Sequence, residues 1–175
     1  MLHDGALASG GQHRRLLRVS VFHDRVVIVT GAAGGLGKAM SSQLSALGAR
    51  LALVDRNADA VNELAAKLGD RHMPIVQDLA EVGALRRLVS DVSDNLGPIH
   101  TLINNAGVTV HGPFAGQGPQ DIDHVLNVDL RSVMHLTHAA LPGLLQTKGH
   151  LVFVSSMAGL HGFPMQSTYS AAKFG

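Results

Sequence analysis

The chain contains no cysteine among its 175 residues, no tryptophan and a single tyrosine. Without cysteine, disulfides, thiolate zinc sites and a cysteine nucleophile are excluded. The scarcity of aromatic side chains argues against base-stacking platforms for nucleic acid, and a formal net charge of +1 gives no electrostatic reason to expect nucleic acid as a ligand. No apolar run reaches the roughly 18 residues that a membrane span needs.

Hydrophobic residues make up 46% of the chain and charged residues 15%, which is typical of a folded domain with a buried core. The first 23 residues differ, because they contain scattered glycines and a basic stretch at 13–15 but no apolar core of signal-peptide length. We expect residues 1–23 to be a flexible extension and residues 24–175 to form the domain. A targeting segment and a start codon placed too far upstream stay open as alternatives for the extension.

From Arg25 onward, short apolar runs alternate with longer runs of helical periodicity. The apolar runs predict five strands, at 26–29, 51–54, 74–77, 99–103 and 151–154. The longest helical run covers 121–145, with Pro142 bending or ending the helix. Strands that are apolar on both faces and alternate with helices predict an α/β fold with a doubly wound parallel sheet, the Rossmann fold.

The first predicted strand is followed by a glycine-rich turn that opens a helix, Thr30-Gly31-Ala32-Ala33-Gly34-Gly35-Leu36-Gly37. Glycines let the backbone turn tightly and approach a pyrophosphate, while the free N–H groups and the positive end of the helix face the anion. A glycine cluster alone also fits an ordinary tight turn. The strand-turn-helix context is what predicts dinucleotide binding.

Asp55 ends the second predicted strand, 24 residues after Gly31. This is near the offset of about 20 residues at which an acidic side chain binds the adenosine ribose. A carboxylate accepts both ribose hydroxyls and repels a 2′-phosphate, so we expect NAD in preference to NADP. The alternative role of Asp55 is that of an N-cap for the following helix. Arg56 is adjacent and could weaken the preference for NAD over NADP by binding a 2′-phosphate.

Four motifs in order resemble the short-chain dehydrogenase/reductase family: Thr-Gly-x-x-x-Gly-x-Gly at 30–37, Asn-Asn-Ala-Gly at 104–107, Ser156, and Tyr169-x-x-x-Lys173. The resemblance covers roughly residues 25–175. It implies an oxidoreductase that transfers a hydride between NAD(H) and a secondary alcohol or ketone.

The resemblance also implies cofactor contacts beyond the glycine turn. Asp78, followed by Leu79, matches the residue that positions the adenine ring, and 104–107 matches the loop that borders the cofactor. The predicted cofactor-binding residues are Thr30, Gly31, Gly35, Leu36, Gly37, Asp55, Arg56, Asp78, Leu79, Asn105, Ala106, Gly107, Tyr169 and Lys173.

The predicted catalytic residues are Asn127, Ser156, Tyr169 and Lys173. Tyr169 and Lys173 share one face of a helix, and an ammonium beside a phenol favours the phenolate, so Tyr169 is the candidate general acid or base. Ser156 is preferred over Ser155 because the family's serine lies 13 residues before the tyrosine, and it would stabilise charge on the substrate oxygen. In the family the lysine also bonds the nicotinamide ribose, and the asparagine holds a water of a proton relay.

The eleven histidines form no ligand pattern with acidic partners, so we expect no metal. The expected partner is a small-molecule alcohol or ketone, with no nucleic acid and no membrane. The absence of cysteine is compatible with a reducing compartment, and we expect a cytoplasmic protein.

Members of the family continue past the lysine with two more strands and a substrate-covering segment, whereas this chain stops at Gly175. We therefore expect about five strands with the C-terminal strands missing, and an uncovered apolar edge at the fifth strand. A homo-oligomer is expected for a full-length parent, but its usual contact uses the helix that is cut here, which weakens that expectation for this chain.

Two other functions stay open: a truncated, catalytically silent NAD-binding fragment and an NADPH-dependent carbonyl reductase.

Overall fold

The computed structural model describes residues 20–175. Residues 1–19 of the predicted extension lie outside the described residues. Phe22 precedes the predicted domain boundary at residue 24, and its side chain packs against the hydrophobic core. Asp24 is also bonded to the domain, because its backbone N–H donates to the carbonyl of Gly48 at 2.9 Å.

Five strands form one parallel sheet in the order β3-β2-β1-β4-β5. The chain moves outward from β1 to β3 on one side, then crosses to β4 on the other side, so the order reverses between β1 and β4. The predicted doubly wound α/β sheet is confirmed. The strands are β1 (Val26–Thr30), β2 (Arg50–Asp55), β3 (Met73–Val76), β4 (Ile99–Asn104) and β5 (His150–Phe153).

Helices cover both faces of the sheet and follow the strands in alternation. Their bounds are α1 (Gly35–Ala46), α2 (Ala58–Leu68), α3 (Leu85–Leu96), α4 (Pro119–Leu126), α5 (Ser132–Thr147) and α6 (Ser167–Phe174). Within residues 20–175, none of these helices has the length and apolar character needed to cross a membrane.

Successive residues of β1 point to opposite faces of the sheet and enter two separate cores. Val26 and Ile28 pack in one core with α3 and α5. Val27 and Val29 pack in the other with α1 and α2. All four side chains are almost fully buried, which explains why the sequence of this strand is continuously apolar instead of alternating.

The two outer strands are more exposed than the three central ones. β5 leaves Val152 and Phe153 exposed to solvent, in agreement with the apolar edge expected at the fifth strand. β3 begins at Met73, one residue before the predicted start, and leaves Val76 half-exposed at the opposite edge.

The long helix predicted at 121–145 is interrupted by a π-helical turn, Asn127–Arg131, that separates α4 from α5. Within this turn the N–H of Ser132 donates to the carbonyl of Asn127, so one extra residue is inserted into the helix. Pro142 lies inside α5 and does not end it, because the helix continues to Thr147. π-helical turns often occur at functional sites, and this one lies under the site described below.

Two histidines accept backbone N–H groups at the amino-terminal end of the sheet. The Nδ1 atom of His72 accepts from the N–H of Leu51, and that of His100 accepts from the N–H of Val26, both at 3.2 Å. An Nδ1 that accepts must carry no proton, so each ring is neutral with its proton on Nε2. Burial lowers the pKa of both rings below the ordinary value of 6.5, and Arg71 and Arg25 act in the same direction.

These lowered pKa values predict an acid-sensitive fold. The unfolded chain binds protons at these histidines more readily than the folded chain, so the stabilisation is present above pH 6.5 and is lost as the pH falls through the folded-state pKa values. We expect the free energy of unfolding, measured by urea denaturation, to fall below pH 6.5. His72→Asn keeps an acceptor without a titrating ring and should flatten this dependence, whereas His135→Asn on the exposed side of α5 should not. Parallel pH dependences for the wild-type and His72→Asn chains would contradict this account.

Candidate active site

A cleft with a volume of about 330 Å³ opens at the carboxyl ends of the strands, where the strand order reverses between β1 and β4. This position is where open α/β sheets bind their ligands. Eleven of the predicted cofactor-binding residues line it; Thr30, Tyr169 and Lys173 do not. The eleven are Gly31, Gly35, Leu36, Gly37, Asp55, Arg56, Asp78, Leu79, Asn105, Ala106 and Gly107.

Thr30 is buried beneath the cleft and joins its two sides. Its hydroxyl donates to the carbonyl of Ile103 at 3.2 Å and accepts from the N–H groups of Asn105 and Ala106 at 2.9 and 3.0 Å. The amide of Asn105 donates in return to the carbonyl of Thr30 at 2.8 Å. Thr30 therefore holds the glycine turn after β1 against the loop after β4.

Two glycines of the turn have no room for a side chain. Gly31 has a φ of +62°, and a Cβ there would lie 2.9 Å from the Cα of Ala106. A Cβ at Gly37 would overlap the carbonyl oxygen of Gly31, so helix α1 can start this close to β1 only with glycine at that position.

Gly35 begins α1 and faces the cleft, and a Cβ at this position would meet no atom of the described residues within 4 Å. Among residues 20–175, no side chain forms a cap on this helix. The N–H groups of its first turn are therefore free to bind an anion, which the helix dipole also favours. The space and the donors at this position suit a pyrophosphate.

Asp55 holds the turn and keeps acceptor capacity for a ligand. Its Oδ2 accepts from the N–H of Ala33 at 2.9 Å, and its Oδ1 accepts from the N–H of Asn57 at 3.0 Å. Each carboxylate oxygen retains a lone pair. The N-cap of α2 is Asn57, whose side chain accepts from the N–H of Ala60 at 3.0 Å, so the alternative role of Asp55 as an N-cap is wrong.

Asp78 and Leu79 lie across the cleft, after β3. The Oδ1 of Asp78 accepts from the N–H of Ala80 at 2.9 Å, which fixes the short turn that carries both residues. Leu79 is buried in the core beneath. Asp55 and Arg56 at the end of β2, this turn after β3 and the first turn of α1 all line the cleft.

Helix α6 carries Tyr169 and Lys173 on one side. The Nζ of Lys173 lies 5.6 Å from the centroid of the Tyr169 ring and donates to the carbonyl of Val154, at the end of β5, at 3.3 Å. A Cβ on Gly107, which lines the cleft, would lie only 3.4 Å from this Nζ. Lys173 is therefore adjacent to the cleft, and Tyr169 lies next to Lys173 on the same helix.

The two serines after β5 are engaged differently. Ser155 donates its hydroxyl to the carbonyl of Lys173 at 3.4 Å, which fastens the loop to the last turn of α6. The hydroxyl oxygen of Ser156 accepts from the N–H of Ala158 at 3.1 Å, so its proton is still available for donation. This arrangement is compatible with the choice of Ser156, whose catalytic role stays a prediction.

Asn127 lies at the start of the π-helical turn, and its Oδ1 accepts from Arg131 at 3.4 Å on the exposed side. The side chain that reaches Lys173 is that of Asp129, which the sequence did not single out. Its Oδ2 lies 3.4 Å from the Nζ of Lys173, and its Oδ1 accepts from the N–H of Val108 at 2.7 Å. The role of Asn127 in a proton relay stays a prediction.

The sequence does carry a signal for Asp129. Val125, Asp129, Ser132 and Leu136 recur at spacings of four, three and four residues, and all four are buried. A carboxylate on the apolar face of a helix needs a partner, because an unpaired buried charge is costly. Burial raises the pKa of the Asp129 carboxyl above its usual range, while the N–H of Val108, the ammonium of Lys173 and His124 oppose that shift.

Comparison with known proteins relates this arrangement to one family. A family model described as short chain dehydrogenase matches residues 25–175. Meso-2,3-butanediol dehydrogenase of Serratia marcescens is 37% identical over 153 residues, which cover 87% of this chain and 61% of that enzyme. The chain spans about half the length of other curated relatives that it matches.

Solved structures share the fold. A metagenomic short-chain oxidoreductase in complex with NADP superimposes with a TM-score of 0.83 at 30% identity, covering 88% of this chain and 72% of that one. A short chain dehydrogenase/reductase from Burkholderia phymatum in complex with NAD superimposes with a TM-score of 0.84 at 28% identity, covering 87% of this chain and 56% of that one.

The bonds of Thr30 predict that its hydroxyl stabilises the cleft. Thr30→Val preserves the shape but leaves two N–H groups without their acceptor, and we expect the free energy of unfolding to fall by about 1–3 kcal/mol. Thr30→Ser keeps the hydroxyl and is the matched control, with a much smaller loss. Chemical denaturation of the three proteins measures the difference, and equal stability of the valine and serine variants would show that the hydroxyl bonds contribute nothing.

Proposed function

This chain belongs to the short-chain dehydrogenase family, and we propose that it transfers a hydride between NAD(H) and a secondary alcohol or ketone, with Tyr169 as the general acid or base. The observation that carries this proposal is the position of α6. Its Lys173 brings the Nζ atom close to Gly107, which lines the cleft, and the ring centroid of Tyr169 lies 5.6 Å from that Nζ.

The residues of the cleft suit a dinucleotide. The first turn of α1 would bind the pyrophosphate, Asp55 would accept the hydroxyls of the adenosine ribose, and Asp78 and Leu79 would border the adenine ring. Asn105 to Gly107 would flank the nicotinamide half. When bound, the cofactor supplies or accepts the hydride.

The protein's own groups move the proton. In the reducing direction, Tyr169 passes its phenolic proton to the carbonyl oxygen, and in the oxidising direction its phenolate takes the proton back from the alcohol. The ammonium of Lys173 stabilises the phenolate. The hydroxyl of Ser156 would donate to the same substrate oxygen and stabilise its charge.

The loop between β5 and α6 supports an apolar carbon skeleton for the substrate. It exposes Met157, Leu160 and Phe163, all within seven residues after Ser156 in the sequence. Apolar side chains around a few fixed polar groups are the usual composition of a small-molecule site.

The choice of NAD rests on Asp55, whose carboxylate would repel a 2′-phosphate. Arg56 also lines the cleft and favours the second candidate, an NADPH-dependent carbonyl reductase. Both candidates use the same tyrosine and lysine, so they differ only at this end of the cleft.

Tyr169→Phe tests the assignment of the acid or base. Removing the phenolic hydroxyl should lower kcat by a factor of about 10²–10⁴ while NADH binding is retained, because the hydroxyl is not among the groups that form the cleft. Turnover of a panel of secondary alcohols and ketones, followed by nicotinamide absorbance, gives the measurement. Unchanged turnover in the variant would remove Tyr169 from the role. Absence of turnover in the wild-type chain despite NADH binding would instead favour a catalytically silent NAD-binding fragment.

Cofactor choice is tested by titrating NADH and NADPH into the wild-type chain and into Asp55→Ala. We expect the wild type to bind NADH more tightly, and the variant to shift the ratio of the two affinities toward NADPH by about tenfold, or roughly 1.4 kcal/mol. Asp59→Ala, an exposed carboxylate at the start of α2, is the matched control and should keep the wild-type ratio. Tighter NADPH binding by the wild type would make the NADPH-dependent reductase the better description.

A further inference from the structure

Helix α6, which carries Tyr169 and Lys173, has only eight residues. A helix this short is marginal in water without packing support, so its position depends on contacts with the rest of the fold. Its last turn is held by Lys173, whose Nζ donates to the carbonyl of Val154 and whose own carbonyl accepts from the hydroxyl of Ser155. Tyr169 lies in the first turn, where, among residues 20–175, no side chain caps the helix. Other contacts of the first turn therefore determine where the phenol lies.

A side-chain hydrogen bond from a distant loop holds this first turn. The hydroxyl of Thr168, a residue that is 4% exposed, donates to the Oε1 of Gln117 at 2.6 Å. Gln117 lies 51 residues earlier in the chain, in the loop between β4 and α4. Its Nε2 donates to the carbonyl of Gly112 at 3.3 Å. Both ends of the amide are therefore engaged, and the two bonds require the same orientation of the side chain.

A backbone bond joins the same two segments. The N–H of Gly112 donates to the carbonyl of Met165 at 2.9 Å, three residues before Thr168. Met165 has a φ of +67°, a conformation that a residue with a bulky side chain rarely adopts. Such residues persist only where the surrounding structure holds them, and they cluster at active sites. The loop after β4 therefore holds the entry to α6 at two points, one of them through the side chain of Gln117.

We propose that Gln117 is a positioning residue that fixes the first turn of α6 through Thr168, and with it the phenol of Tyr169. The inference rests on the proposed function, in which Tyr169 exchanges a proton with the substrate. Tyr169 directly follows Thr168, so opening or rotation of this turn displaces the phenolic oxygen. A misplacement of about 1 Å at the reacting groups can lower the rate by a factor of about 10². Neither Gln117 nor Thr168 lines the cofactor cleft, so cofactor binding should not depend on their bond.

Hydrogen exchange tests the contact without cofactor or substrate. The N–H of Ser170 donates to the carbonyl of Gln166 at 2.8 Å, so its exchange rate reports the opening of the first turn of α6. In the 175-residue chain, Gln117→Leu and Thr168→Val should each raise this rate about tenfold, because each leaves the other partner without its bond. Thr168→Ser keeps the donor, and Gln146→Leu removes an exposed amide of α5. Both controls should keep the wild-type rate.

Turnover of a secondary alcohol or ketone tests the consequence for Tyr169. Gln117→Leu and Thr168→Val should each lower kcat by a factor of about 10–10², while the Kd for NADH stays at the wild-type value. Thr168→Ser should retain kcat, and Gln146→Leu should leave it unchanged. Since both single changes break the same bond, the double variant should be no slower than the slower single variant.

Wild-type exchange at Ser170 in folded Thr168→Val would overturn the proposal. So would equal kcat values for Thr168→Val and Thr168→Ser, or losses of kcat that multiply in the double variant. A wild-type chain that binds no NADH or turns over no substrate would count against the proposed function. In that case the exchange rate of Ser170 still decides whether Gln117 fixes the first turn of α6.

Discussion

The hydroxyl of Thr30 makes the contact on which the rest of the site depends. Thr30 ends β1, at the point where the strand order reverses. Its hydroxyl donates to the carbonyl of Ile103 in β4 and accepts from the N–H groups of Asn105 and Ala106 in the loop after β4. The glycine turn after β1 and the loop after β4 lead to helices on opposite sides of the sheet, so a cleft forms between them. The amide of Asn105 adds bonds to the carbonyls of Thr30 and Gly31, and together these bonds hold the glycine turn and the loop at 105–107 at a fixed separation.

The same edge of the sheet brings distant parts of the sequence together. Parallel strands all end at one edge of the sheet. Asp55 at the end of β2, Asp78 after β3 and Ser156 after β5 therefore come from segments far apart in the chain yet lie along that edge. The part of the cleft next to β2 and β3 is lined by backbone amides and by the carboxylates of Asp55 and Asp78. On the other side of β1, α6 and the π-helical turn bring Tyr169, Lys173 and Asp129 together.

Much of the fold could be predicted because its signals are local. The continuous apolar sequence of β1 reflects burial on both faces, and the glycines that close the helices occupy backbone conformations that other residues adopt poorly, as at Gly48, Gly69 and Gly97. The π-helical turn was not predicted, because the insertion of one residue leaves the apolar periodicity of α4 and α5 nearly unchanged. The helix α5 continues through Pro142 to Thr147 and packs against β4 and α3, and no local pattern in the sequence encodes these contacts.

In the candidate site, too, the features with local sequence signals could be predicted and those that depend on distant residues could not. The glycine turn and Asp55 were predictable because their geometry follows from a few adjacent residues. Asp129 was not, since its partners Val108 and Lys173 are 21 and 44 residues away and become neighbours only in the folded chain. The position of Asp129 on the apolar face of the helix predicts that its side chain is buried. This position does not predict which residues the carboxylate contacts.

The central claim is that the cleft at the carboxyl ends of β1 and β4 binds NAD(H). Titration of the isotopically labelled 175-residue chain with NADH, followed by amide NMR, tests it most directly. The account predicts saturable shifts that are largest at Gly31, Gly35, Asp55 and Gly107, with little change at the amino-terminal end of the sheet near His72 and His100. Shifts confined to other surfaces, or no saturable shift in the folded chain, would contradict it.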